Sequence, residues 1–410
     1  MDLFAKLTAN ASPLGAIAGL VHGTFMFPKL EGDIGPRMLV DGRECLVWSL
    51  NNYLGLANHP EVRRTDAEAA ARYGLAAPMG SRMMSGETHH HEALEAELAD
   101  YAAKDDAIFL NYGYQGMLSI VDALLTRRDW VIYDGQVHAC IIDGVRLHHG
   151  RHLAFNHNDV DHLEAMLEKA DAQRSERGAI LVITEGVFGM SGEVGPLDRI
   201  VALKERYDFR LLVDDAHGFG IMGPNGGGTG EHLGVQDGVD LYFGTFAKAG
   251  ASIGAFVASE RDVVSYLRYA LRSQIFAKGL PLPIVVGNRK RLELMRTQPE
   301  LREGMWRIAE ALQVELRDRG FDLGRTSGAI TPVFLNMTVE QAVTFLTALR
   351  DRHGVFCSAV VYPVVPRDVL MLRLIPTCAH TLDDVRATGE AFSAAYEEAR
   401  EAAGVPALQS

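Results

Sequence analysis

Between about His59 and Pro283 the chain alternates two hydrophobic rhythms. Short apolar runs fall at 107–110, 130–133, 179–185, 209–213, 241–245 and 255–258, and between them apolar residues return every three or four positions. Short unbroken runs read as buried strands, and the spaced stretches as helices with one apolar face. Residues 196–207 show the junction: a proline at a first helical position, Leu197, Ile200, Val201 and Leu203 along one face, and the next strand immediately after. Such alternation predicts an α/β fold, with helices on both faces of a mostly parallel sheet.

The rhythm differs on either side. Residues up to about 55 carry a helical stretch, a Gly/Pro-rich connection and a hairpin over 37–48 turning at Asp41-Gly42, with little core of their own. After Pro283 a long helical pattern places Leu301, Met305, Ile308, Leu312 and Leu316 on one face until Gly320 stops it. Strand-like 330–337, helical 339–353, strand-like 355–362 and 370–375, and a helix from Thr381 follow. The expected organisation is an N-terminal segment (1–55), a large domain (56–290) and a smaller C-terminal α/β domain (291–410), with the tail 402–410 frayed.

Composition narrows the function classes. A chain of 410 residues exceeds what one hydrophobic core usually serves, and 48% hydrophobic with 23% charged residues is the balance of a globular protein. No apolar stretch reaches the ~18 residues of a membrane span, and the start of the chain lacks a signal peptide's basic-then-apolar layout. A cytoplasmic protein with no transmembrane segment is expected, which leaves room only for peripheral membrane contact. The net charge of −13 argues against nucleic acid. Cys45, Cys140, Cys357 and Cys378 are far apart and form no metal or disulfide pattern.

In open α/β sheets ligands collect at the carboxyl ends of strands, so the polar residues that end each apolar run are the candidates for chemistry. Lys248 closes Phe243-Gly244-Thr245-Phe246-Ala247-Lys248, and the preceding strand ends in Val213-Asp214-Asp215-Ala216-His217. A lysine, a carboxylate and a histidine at neighbouring strand ends suit pyridoxal 5′-phosphate (PLP): the amine forms the Schiff base and the acid keeps the pyridine nitrogen protonated. Asp214 and His217, three residues apart, can reach one flat ligand, and Thr245 can offer a hydroxyl to the phosphate. Gly113 and Tyr114 open a helix after a strand, where backbone N–H groups can meet a phosphate. His138 can stack on a ring and hydrogen-bond a substrate carboxylate. Arg373, in an apolar strand, suits a bidentate carboxylate. Each residue alone has a structural explanation; their combination points to PLP.

Two patterns are set aside. Gly218, Gly220 and Gly223 match a dinucleotide-binding spacing, but Pro224 to Gly230 cannot form the helix that fold requires. The histidines at 89–91 and at 148, 149 and 152 diverge on a helix and lack a second matched set, so no metal is expected.

Ser49-Leu50-Asn51-Asn52-Tyr53-Leu54-Gly55-Leu56, Gly80-Ser81-Arg82 followed by Gly86 and His91, His138-Ala139 and Gly186-Val187-Phe188 stand in one order with Asp214, His217 and Lys248. Over nearly the whole chain this set resembles the α-oxoamine synthases, a branch of the fold-type I PLP enzymes. The resemblance implies that Gly113 and Tyr114 neighbour the phosphate, His138 stacks on the ring, Asp214 pairs with its nitrogen, His217 and Thr245 complete the cradle, and Lys248 holds the cofactor. Asn52, Tyr53, His138 and Arg373 become the substrate-binding candidates, Lys248, His138 and Asp214 the catalytic ones. Family members condense an amino acid with an acyl-CoA and lose CO2, and their active sites lie between the subunits of a dimer.

Residues 27–32, 272–281 and the C-terminal stretches around Val365-Pro366, Leu372-Arg373-Leu374 and Ala379-His380-Thr381 look most like the serine palmitoyltransferase branch. The expectation is condensation of L-serine with a long-chain acyl-CoA to 3-ketosphinganine, in a homodimer. The alternatives are another branch, of the aminooxononanoate synthase or aminoketobutyrate ligase type, an aminotransferase, or a non-catalytic partner subunit of the same fold. The chain departs from the commoner family pattern at Gly189, Ala247, Ala249 and Ala277, where hydroxyl residues are usual. Lys278 could compensate with a cation delivered across the dimer.

Overall fold

The computed structural model describes residues 2–9, 15, 18–23, 25–362, 365 and 369–402. Pro366 and the tail 403–410, expected to fray, lie outside them. The chain divides into two compact units, one of residues 1–50, 190–192 and 303–410, the other of residues 51–189 and 193–302.

The chain opens with α1 (Leu3–Ala9), α2 (Ala18–Val21) and three short strands, β1 (Leu30–Glu31), β2 (Arg37–Val40) and β3 (Arg43–Val47). The hairpin β2–β3 turns at Asp41-Gly42 with φ of 50° and 78°. Two left-handed residues are what a two-residue hairpin turn of the right twist needs.

The larger unit contains, in order, α3 (Pro60–Tyr73), α4 (His89–Tyr101), β4 (Asp106–Leu110), α5 (Gly113–Leu124), β5 (Trp130–Asp134), α6 (Ala139–Leu147), β6 (Arg151–Phe155), α7 (Val160–Gln173), β7 (Ile180–Glu185), α8 (Leu197–Ala202), β8 (Arg210–Asp214), α9 (Thr229–His232), β9 (Leu241–Thr245), β10 (Ala255–Ser259), α10 (Arg261–Ala270), α11 (Arg272–Ile275) and α12 (Leu282–Thr297). Its seven strands form one sheet in the order β4-β10-β9-β8-β7-β5-β6. The pairs β9–β8, β8–β7, β7–β5 and β5–β6 are parallel; β10 alone is reversed, antiparallel to β9 and β4. Leu110, Asp134, Glu185, Asp214 and Thr245 therefore all end their strands on one edge.

Between the sheet and its helices lies an apolar core that includes Leu110, Ile120, Ile141, Ile183, Leu212, Phe243 and Val257. The mostly parallel sheet is present, and only β6 escaped the hydrophobic pattern. It is an edge strand whose sole fully buried side chain is Phe155, so it needs no apolar run. The pattern after Pro283 also proves to be two helices, because Pro299 ends α12 and starts α13 (Pro299–Asp318).

In the other unit, beyond Glu303, come the rest of α13, β11 (Thr331–Phe334), α14 (Val339–Asp351), β12 (Val355–Phe356), β13 (Ser358–Val360), β14 (Met371–Leu374) and α15 (Leu382–Ala402). β12 pairs in parallel with β3, and Trp48 N donates to Phe356 O at 2.8 Å, so the N-terminal hairpin shares a sheet and a core with the C-terminal residues. Trp48, Leu312, Leu316, Phe345, Leu372 and Phe392 fill that core. Trp48 keeps its one polar atom satisfied through Thr388 Oγ1 at 2.9 Å.

Candidate active site

The carboxyl edge of the parallel sheet gathers most of the predicted residues. β7 and β8 pair in a register that sets Glu185 opposite Asp214. Lys248 follows three residues beyond the end of β9, half-buried, and acts electrostatically on Asp214, on His138 and on Glu185. Asp214 is buried, and its Oδ1 accepts from Ala216 N at 3.1 Å. Burial raises its pKa; the charges of Lys248 and His138 pull the other way.

The tandem acids have separate tasks. Asp215 accepts from Thr229 N at 2.6 Å and Thr229 Oγ1 at 2.7 Å. Burial pushes it up to about 6 against those bonds. A Cβ on Gly186, Gly218 or Gly228 would fall 1.9 to 2.1 Å from its carboxylate oxygens, so Gly218, the first glycine of the stretch that imitates a dinucleotide motif, packs against this acid, while Gly220 and Gly223 pack against Ala249 and Glu231.

His138 caps α6: its Nδ1 accepts from Cys140 N at 3.3 Å, with Cys140 Sγ at 3.0 Å. A backbone N–H can only donate, so the ring proton sits on Nε2. The residue is exposed, yet desolvation lowers its pKa; Asp214 raises it and Lys248 lowers it again. His138 N donates to Glu185 Oε1 at 2.6 Å, and Gly189 N reaches Glu185 Oε2 at 3.4 Å. Sequence reasoning missed Glu185, whose only signal was its place at the end of the run 179–185. Burial and the neighbouring Asp214 push its carboxyl well above the usual range, while the N–H groups of His138 and Gly189 and the charge of Lys248 pull it down.

His217, also buried, meets the hydroxyl of Tyr53 through Nδ1 at 2.9 Å. Its Nε2 lies 2.5 Å from where a Cβ on Gly189 would stand. The family's usual serine at that position would collide with this ring, which gives Gly189 a physical reason. Gly113 opens α5, and its Cβ position is 3.8 Å from Thr245 Oγ1, so the helix N-terminus and the end of β9 adjoin. Thr245 donates to Gly254 O at 2.9 Å, and its hydroxyl must rotate to give that proton to a phosphate.

The remaining candidates lie differently. Tyr114 is exposed, and its hydroxyl donates to Asp143 on α6. Its ring stands edge-on to His138, centroids 6.1 Å apart. Asn52 spends its Oδ1 on Ala57 N at 3.1 Å, holding the turn after Tyr53. Tyr53 is wholly buried. Arg373 belongs to the other unit, half-buried on β14 opposite Pro332 and Ser358.

Residues 43–392 match the family described as aminotransferase class I and II. A cysteate-C-fatty acyltransferase of Capnocytophaga ochracea is 55% identical over 97% of this chain and 95% of its own. A serine palmitoyltransferase of Sphingobacterium spiritivorum is 33% identical over 91% of this chain and 92% of its own. Among solved structures, serine palmitoyltransferase from S. paucimobilis with a bound PLP-myriocin aldimine superposes with a TM-score of 0.90 at 30% identity, covering 98% of this chain and all of that one. The chain belongs to the aminotransferase class I and II family and, within it, to the α-oxoamine synthases: a fold-type I, PLP-dependent acyltransferase.

The residues present fit that cofactor. A buried carboxylate at a strand end needs a cationic neighbour, which a protonated ring nitrogen supplies beside Asp214. The adjoining Gly113 and Thr245 offer a helix N-terminus of the kind that binds phosphate.

Proposed function

We propose that this chain condenses L-cysteate with a long-chain fatty acyl-CoA, releasing CO2 and CoA and leaving a 2-amino-3-oxoalkane-1-sulfonate. The observation that carries the reading is the identity gap: 55% over almost the full length to a cysteate-C-fatty acyltransferase, against 33% to a serine palmitoyltransferase. L-serine is the second reading, favoured by the TM-score of 0.90 to a serine palmitoyltransferase. The two substrates differ only in the group on the β-carbon, sulfonate or hydroxyl.

PLP, when bound, supplies the electron sink that makes an α-carbon nucleophilic. The protein supplies the rest. Lys248 Nζ anchors the cofactor and, once released, takes the α-proton as a base. Asp214 holds the proton of the ring nitrogen. His138, with its proton on Nε2, donates to the amino acid's carboxylate, and Arg373 is assigned to that same group. The α-carbon then bonds to the thioester carbonyl, the C–S bond breaks and CoA leaves as a thiol. Loss of CO2 follows.

We assign the chain to a homodimer. Met79, Met84 and Phe276 stand exposed on the larger unit, and Lys278 Nζ lies 3.6 Å from Met79 Sδ. Lys278 is proposed to reach the partner's phosphate; unchanged PLP retention in Lys278→Ala would count against that. Any membrane contact in this reading is proposed to be peripheral; among the described residues no helix is long and apolar enough to cross a membrane.

Thiol release measured with L-cysteate, L-serine, glycine and L-alanine over a series of acyl-CoAs tests the reaction. The expected result is a kcat/KM for L-cysteate at least about tenfold above that for L-serine, the least a lost charged contact produces. The reverse preference replaces cysteate by serine, and no thiol with any of the four removes the condensation itself.

A further inference from the structure

A half-buried histidine, His157, joins two of the loops that carry site residues. At the end of β5 the wholly buried Asp134 accepts from Gln136 N and Asn158 N, both at 2.8 Å, and meets His157 Nδ1 at 3.0 Å. The other ring nitrogen, Nε2, meets Glu193 Oε2 at 3.0 Å. A carboxylate facing each ring nitrogen favours a hydrogen on both, and with it the charged form of the ring, although Asn158 Nδ2 also lies 3.4 Å from Nε2.

The two ends of this contact lead to the site. Four residues beyond Asp134 stands His138. Glu193 lies in the hairpin that starts at Val187, closed by Phe188 N to Glu193 O at 2.9 Å and by the bridge between Val187 and Val194. That hairpin carries Gly189, against which His217 rests. Phe188 also stands edge-on to the His157 ring, centroids 4.3 Å apart.

We propose that His157 is a positioning residue: it ties the turn leading to His138 to the hairpin that backs His217, and so sets the spacing of the two histidines that meet the cofactor. This rests on the reading of His138 and His217 as PLP contacts. Burial alone would lower the pKa of His157, but the bonds and charges of Asp134 and Glu193 outweigh it and raise the value. A folded value above the unfolded one, about 6.5, makes the tie complete below that pH. It is lost as pH rises through the folded value.

The test uses the full chain, stripped of PLP and titrated with it, and follows the yellow absorbance of cofactor bound to Lys248. His157→Gln keeps two N–H donors but no charge, and should weaken PLP about tenfold, the worth of a charge-assisted bond. It should also abolish the loss of affinity expected of the wild type as pH rises through the folded value of His157. Glu193→Gln, which leaves the Asp134 contact in place, should act in the same direction by less, and it decides the matter if His157→Gln does not fold. A lower Tm with unchanged PLP affinity and an unchanged pH profile in both variants would make the cluster merely structural and overturn the proposal. A wild type that gains no yellow absorbance overturns the Lys248 assignment and the tie with it.

Discussion

At the scale of single residues, the pair Tyr53 and His217 is where the structure changes the sequence reading most. The sequence reading gives Tyr53 to the substrate; in the structure its hydroxyl meets His217 Nδ1 at 2.9 Å inside the protein, which adds a contact the sequence did not show. Tyr53→Phe keeps the ring and removes that partner, a loss of about 1–3 kcal/mol for a buried polar group. The expected outcome is weaker PLP binding and a shifted absorbance maximum of the bound cofactor, with substrate KM changed less than kcat; a spectrum and affinity identical to wild type would return Tyr53 to a packing role. Gly189→Ala attacks the same ring from the other side, since its Cβ would enter at 2.5 Å from His217 Nε2. It should lower PLP affinity, as measured by the same titration, even though alanine is the smallest possible insertion. Lys248, Asp214, His138 and His217 were legible because chemistry that needs a nucleophile, an acid and flat rings must place them at strand ends. Glu185, His157 and the roles of Tyr53 and Gly189 were not, because they act through contacts between loops distant in sequence.

At the scale of elements, a strand was readable wherever both of its faces are buried. β7, with all six residues buried, announced itself as an apolar run, whereas β6, with one, did not. Helix ends were readable where a side chain closes them. α14 begins with a full capping box: Thr338 accepts from Gln341 N at 3.3 Å, and the Gln341 side chain accepts from Thr338 N at 2.9 Å. Thr338→Ala removes the Oγ1 acceptor of Gln341 N, leaving that donor without its cap, and should cost about 1 kcal/mol of stability. Denaturant unfolding would check this; a midpoint unmoved within error would mean that water replaces the cap without loss. PLP binding should be unaffected, because α14 belongs to the unit that lacks Lys248.

At the scale of the whole molecule, both units are exposed to acid through buried histidines whose pKa burial lowers. In the smaller unit His380 stacks on Trp48, centroids 3.8 Å apart and planes 6° from parallel, with Nε2 3.2 Å from Val47 O. Burial lowers its pKa to about 4, although the carbonyl of Val47 and Asp384 favour the charged form. In the larger unit His91 is wholly buried on α4, and burial with the charge of Arg82 lowers it to about 3. An unfolded histidine takes its proton near pH 6.5, so between there and pH 4 the unfolded chain binds more protons and stability falls as the pH falls. Asp215 works against this: held at about 6, it binds its proton earlier in the fold than in the open chain and adds stability over much of the same window. His380 alone, once pH reaches 4, should account for a loss of ~3 kcal/mol. His380→Gln should therefore lower Tm at pH 7 by removing the stacked ring, yet flatten the decline of stability between pH 6.5 and 4 by about one proton's worth of slope. Calorimetric Tm values across that range decide it: a variant whose acid limb runs parallel to the wild type would place the acid sensitivity of the smaller unit elsewhere.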